Sequence, residues 1–147
     1  MSDYVKLRTE DTEQQAVIQW ARMQSDRWPG LRLLHHIPNG GNRNKREAAK
    51  LKRMGVLAGV PDLHLPVACA GYYGLYIEMK YGDGRLLASQ IEFMLRAAHF
   101  HNYCAVCYTA EDAIAVLQNY IDIDHRTAFR FENLAILKEG KQIGTVK

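Results

Sequence analysis

Two carboxylates and an amine stand at a suggestive spacing in the middle of the chain. Asp62 opens the apolar run Leu63-His64-Leu65, and Glu78 and Lys80 lie in Leu75-Tyr76-Ile77-Glu78-Met79-Lys80. Side chains alternate faces along a strand, so Glu78 and Lys80 project to one side while Ile77 and Met79 pack on the other. Unpaired charge on an apolar strand is costly to bury, and a second acid nearby adds repulsion unless a cation intervenes. Two acids holding a divalent metal beside a lysine make a site suited to phosphodiester hydrolysis, in which the metal stabilises charge and generates hydroxide.

The elements that must position these groups follow from hydrophobic spacing. A helix is expected from about Asp11 to Asp26, capped by Thr9, Asp11 or Thr12, with Ala16, Val17, Trp20 and Ala21 as its apolar stripe. Glu13 falls on that stripe at the end nearest the helix start, either as a capping carboxylate or as a further acid for the metal cluster, and Glu10 competes with it on periodicity. Trp28-Pro29-Gly30 ends the helix, and Leu31 to Ile37 reads as a strand in which only one of His35 and His36 faces the core; either is read as a satisfied polar residue rather than a ligand. Pro38-Asn39-Gly40-Gly41-Asn42 is a turn whose glycines permit close approach of another backbone, such as a nucleic-acid strand.

Arg43 to Met54 reads as a helix bearing Arg43, Lys45, Arg46, Lys50, Lys52 and Arg53 against the single acid Glu47, stopped by Gly55. So dense a run of cations just before a carboxylate site suits a phosphate backbone. Val60 to Ala70 and Gly74 to Lys80 read as a hairpin that brings Asp62 to the Glu78 end. The loop Tyr81 to Arg85 is expected to be mobile, with Arg85 available to phosphate. A helix from Ser89, its N-cap, to about Phe100 carries Gln90 in its first turn, where the helix dipole and the amide favour a phosphate or orient a water. Tyr103 to Thr109 is a core strand, followed by a helix with the stripe Ala113, Ile114, Leu117, Tyr120 and Ile121. From His125 to Lys147 the helical period is lost, and two short strands turning at Gly140 are expected, which extend the sheet or form a subunit contact.

The length of 147 residues implies one domain with a real core. Its 48% hydrophobic and 24% charged residues are those of an ordinary globular protein. No apolar run approaches a membrane span and the first residues lack a signal-peptide layout, so a cytoplasmic protein without membrane partners is expected. Cys69, Cys104 and Cys107 do not make a disulfide framework, and Cys104 and Cys107, three apart in a strand, face opposite ways. The net charge of +3 permits a polyanionic partner.

Pro61-Asp62 followed by Glu78-Met79-Lys80 resembles the PD-(D/E)XK nuclease motif. With Pro38-Asn39-Gly40-Gly41, Gly59-Val60-Pro61-Asp62 and Gln90, the pattern from about Glu13 to Tyr120 resembles the VRR-NUC branch of that superfamily, the virus-type replication and repair nucleases. The resemblance implies an α/β fold with a mixed central sheet flanked by helices and a core at about residues 10–121, with 125–147 as an extension. It implies a Mg2+ or Mn2+ site built from Asp62, Glu78 and the Met79 backbone carbonyl, with Lys80 acting on water and Glu13 as the first-helix glutamate. It also implies DNA as partner, bound through Asn39, Gly40, Gly41, the basic helix and Arg85. Small stand-alone members suggest a bacterial or phage-encoded homodimer that cuts branched DNA such as four-way junctions. A flap or RNA nuclease, or a non-catalytic nucleic-acid-binding module of the same fold, are the alternatives, and the intact Asp62, Glu78 and Lys80 argue against the last.

Overall fold

The strand carrying Glu78 runs through the middle of a six-stranded sheet. The computed structural model describes residues 7–39, 43–122 and 129–147. Its strands are β1 (His35–His36), β2 (Leu63–Leu65), β3 (Leu75–Met79), β4 (Tyr103–Cys107), β5 (Ala135–Lys138) and β6 (Lys141–Thr145), hydrogen-bonded in chain order. The pairs β1–β2, β2–β3 and β5–β6 are antiparallel, and β3–β4 and β4–β5 are parallel. The helices are α1 (Glu10–Met23), α2 (Lys45–Arg53), α3 (Ala88–His99) and α4 (Ala110–Ile121). Among the described residues, no helix is long and apolar enough to cross a membrane.

The period-2 pattern divides the sheet into two packed faces. Leu75, Ile77, Met79, Ala105, Cys107 and Leu137 meet Val17 and Ala21 of α1 and Ala113, Leu117 and Tyr120 of α4. On the opposite face Cys104, Val106 and Val146 pack with Met94 of α3. Cys104 and Cys107 thus belong to separate cores, as their spacing requires.

Local chemistry explains where the elements are shorter than hydrophobicity alone suggests. Pro61 and Pro66 flank β2 and lack the N–H that a ladder needs, so the expected strand from Val60 to Ala70 contracts to three residues. Pro29 sets the backbone of a short 3₁₀ turn, Pro29–Leu33, that drives Leu31 into the core, so only His35 and His36 of the expected strand are extended. Thr9 caps α1, accepting from the Thr12 N–H at 3.1 Å. The C-terminal hairpin extends the sheet. Its turn at Glu139 and Gly140 has positive φ, and both N–H groups donate to the buried Asp112 carboxylate at 3.0 and 2.7 Å.

Candidate active site

Hairpin register places the acids side by side. Leu63 lies opposite Ile77, so Asp62 stands across from Glu78 at the end of the β2–β3 ladder. The Asp62 carboxylate accepts from the Met79 N–H at 2.8 Å, and its carbonyl accepts from the Ile37 N–H at 2.8 Å, stitching β1 to the same point. His36 Nδ1 also lies 2.8 Å from that carbonyl. Met79 buries its side chain in the core and holds Asp62 through its backbone.

Glu78 is the most confined group. It is 2% exposed, its Oε1 lies 3.2 Å from the Lys80 ammonium, and it accepts from Gln90 Nε2 at 2.8 Å. Gln90 in turn accepts from the Leu87 N–H at 2.8 Å, closing the first turn of α3. That bridge makes Leu87 the N-cap and draws Ser89, the expected cap, inside the helix. Gly59 lies against the same turn with φ +81°, and a β-carbon there would fall 2.2 Å from the Ser89 carbonyl oxygen, so only glycine fits.

These groups face a polar cleft of about 520 Å3, whose wall includes Glu10, Asp11, Gln14, His36, Asn39, Asp62, Glu78, Lys80 and Gln90. Burial, with the neighbouring Asp62 charge adding to it, pushes the Glu78 carboxyl up to about 7. Burial likewise raises Asp62, opposed in part by the Met79 N–H, and raises Glu10. Paired acids with raised proton affinity repel one another, a repulsion that a cation would relieve.

Glu13 is not part of this cleft. It lies on the inward stripe with Val17, is held in an ion pair by Arg8, and accepts from the Ala110 N–H at 2.6 Å. It caps the start of α4, and the Arg8 hydrogen bond holds its carboxyl below the usual range. Glu10 and Gln14, four apart and one helical step round from that stripe, line the cleft instead. Periodicity left Glu10 and Glu13 as competing choices, and Gln14 carried no signal of its own. Glu10→Gln is therefore expected to lower metal-dependent activity more than Glu13→Gln. Glu13→Ala is expected to cost roughly 1–3 kcal/mol of stability by leaving the Ala110 N–H without its acceptor and Arg8 with Glu111 alone. Urea unfolding beside initial rates checks both, and a larger rate loss in the Glu13 variant at full folding would reverse the assignment.

The remaining expected binding residues are dispersed. Asn39 lines the cleft and donates to the Val60 carbonyl at 3.4 Å. Gly40 and Gly41 lie outside the described residues. Arg43, Lys45, Arg46, Lys50, Lys52 and Arg53 are all exposed, on and beside a helix that buries no residue and is capped by Asn44. Arg85 is exposed and is not part of the cleft wall. Its loop is tied rather than free: Tyr108 Oη donates to the Gly84 carbonyl at 2.5 Å and Lys138 Nζ to the Gly82 carbonyl at 3.0 Å.

Among the described residues, no group of three or more His, Cys, Asp and Glu side chains is arranged to hold a metal unaided. Asp62 and Glu78 nevertheless suit Mg2+ or Mn2+. Such hard ions keep several waters and take one or two carboxylates together with substrate phosphate, so a three-residue cage is not required.

No protein-family model and no curated protein matches the chain. A solved structure described as a VRR_NUC domain protein is 35% identical, superposes with a TM-score of 0.70, and covers 82% of this chain and 97% of that one. Identity of that order, sustained over most of this chain and superposed at that TM-score, shows common descent of sequence as well as of fold. The chain belongs to the VRR-NUC family, a nuclease-type domain on a PD-(D/E)XK-like core.

Proposed function

We propose that the protein is a Mg2+- or Mn2+-dependent endonuclease that hydrolyses DNA phosphodiester bonds, selective for branched DNA such as four-way junctions and acting as a homodimer. The observation that supports this most is the buried Glu78 carboxylate, set between Lys80 and Gln90 and facing Asp62 in a polar cleft. Asp62 and Glu78, with the Met79 carbonyl, would hold the ion. When bound, it supplies Lewis-acid stabilisation of phosphate charge and a lowered pKa for water. Lys80 orients the attacking water and offsets charge growing on the phosphate. Gln90, fixed by the Leu87 N–H, holds the Glu78 carboxylate in place.

The basic helix supplies affinity without sequence reading. Neutralising two of Lys45, Arg46, Lys50, Lys52 and Arg53 is expected to weaken binding equally across sequences and to reduce the slope of log K against log salt by about 1.8, at ~0.9 per phosphate contact. Anisotropy titrations at several salt concentrations measure this, and an unchanged slope would remove α2 from the interface.

Two opposed incisions in a branched substrate need two copies of Asp62, Glu78 and Lys80, which a two-fold dimer provides. Cleavage of a panel of duplex, flap, four-way junction and RNA substrates with Mg2+, Mn2+ or chelator tests the whole reading, with light scattering for the dimer. Inactivity on every substrate with either metal would overturn it. A monomer cutting flaps or RNA as well as junctions would overturn only the junction preference.

A further inference from the structure

A second cavity of about 440 Å3 lies beside the cleft, on the α3 side of the sheet. The two share Ala58 and Ser89 as walls, and are separated where Gly59 presses on the first turn of α3. The second is markedly apolar and aromatic: Leu57, Tyr76, Phe93 and Phe100 line it, with Tyr76 edge-on to Phe93 at 5.3 Å. Leu57 and Phe100 are 60% and 63% exposed, far more than packing within the domain explains. Asn102 and the ion pair of Arg96 with Glu92, at 3.1 Å, add polar groups to the wall.

We propose that this cavity receives one unpaired nucleobase of the strand whose phosphate lies in the Asp62–Glu78 cleft, an inference that rests on the nuclease reading above. Its volume is within the roughly 300–1,000 Å3 of small-ligand sites, and an aromatic, mostly apolar pocket with a few polar groups suits a flat heterocycle. Continuity supports the occupant. The basic helix α2 leads through Met54 into Leu57 and Ala58, so the basic face, the apolar cavity and the Asp62 side of the acidic cleft follow one another along a single stretch of chain. A base enters only when it is out of the duplex stack, and unstacking costs least where the nucleotide is already unpaired. The cavity thereby favours substrates with unpaired nucleotides beside the cut and gives the protein a means of discriminating against perfect duplex.

The test uses the full chain in chelator, so that binding is read apart from cleavage. Fluorescein-labelled duplexes with a single-stranded gap are titrated by anisotropy, each with one unpaired nucleotide replaced by an abasic site. Loss of the base at one or two positions is expected to weaken wild-type binding roughly 5- to 150-fold, the range of a base–aromatic stack. In Phe100→Ala the same abasic substitutions are expected to change affinity less than about 2-fold, since the stack is already gone. Phe93→Leu, which keeps an apolar side chain, serves as the second variant, with melting temperatures confirming folding. No position-specific abasic effect in the wild type, or an abasic effect as large in both variants as in the wild type, overturns the proposal. So does loss of the dimer in Phe100→Ala with the abasic response intact, which would assign the surface to a second copy. Cleavage of the substrate panel above by the same preparations with Mg2+ or Mn2+ separates the two readings: cutting without an abasic effect rejects the base pocket alone, whereas an abasic effect with no cutting of any substrate rejects the catalytic assignment alone.

Discussion

Glu78→Gln is expected to abolish metal-dependent cleavage, by at least ~10²-fold, while making the metal-free protein more stable at pH 8. The two effects share one cause. Burial beside Asp62 raises the Glu78 carboxyl from 4.5 to about 7 in the folded state. The folded protein therefore binds more protons than the unfolded chain between those values, and stability falls as pH rises through that window. Above about pH 7 the penalty is complete, on the order of 3 kcal/mol for a group 2% exposed. Glutamine keeps the shape and the acceptor for Gln90 but carries no charge, so the variant should melt several degrees higher without metal. Calorimetry at pH 5 and pH 8 shows the sign: the gain is expected at pH 8 and small at pH 5. Mg2+ is expected to stabilise the native protein more than the variant, which keeps Asp62 but lacks the Glu78 carboxylate of the proposed site. A variant that still cuts, or that melts lower at pH 8, would remove Glu78 from the proposed site.

Lys80→Ala is the second large effect, with turnover expected to fall about 10²- to 10³-fold while affinity for Mg2+ or Mn2+ is preserved. The ammonium pairs with Glu78 at 3.2 Å on the cleft side of the sheet, and in the proposed mechanism it acts on water and on growing negative charge rather than as a ligand. Metal affinity by isothermal titration, set against single-turnover rates at saturating metal, separates the roles. Weakened metal binding with normal turnover would reverse the assignment.

The placement of Asp62, Glu78 and Lys80 was legible in the sequence because it depends on short-range geometry. Alternation put Glu78 and Lys80 on one face, and a hairpin-length interval brought Asp62 opposite. The same period sorted Cys104 and Cys107 to opposite faces, and the turn at Gly140 between two short apolar runs marked the C-terminal hairpin.

What the tertiary structure decided depends on partners far along the chain. Glu13 and Glu10 are nearly equivalent on a helical wheel. The choice between them was made by the docking of α1 on α4, which offers Glu13 the Ala110 N–H 97 residues away and leaves Glu10 to the cleft. Gln90 could be placed in a first turn from sequence, but its grip on Glu78 required α3 to pack on the face of the sheet where Glu78 points. The tethering of the Arg85 loop by Tyr108 and Lys138 joins segments that only the parallel β3–β4–β5 arrangement brings together. The sequence by itself determined that Asp62, Glu78 and Lys80 share one end of one sheet face, since periodicity is a local property; which helix acid lines the cleft with them, and how firmly each was held, were set by contacts between elements whose spacing carries no local signal.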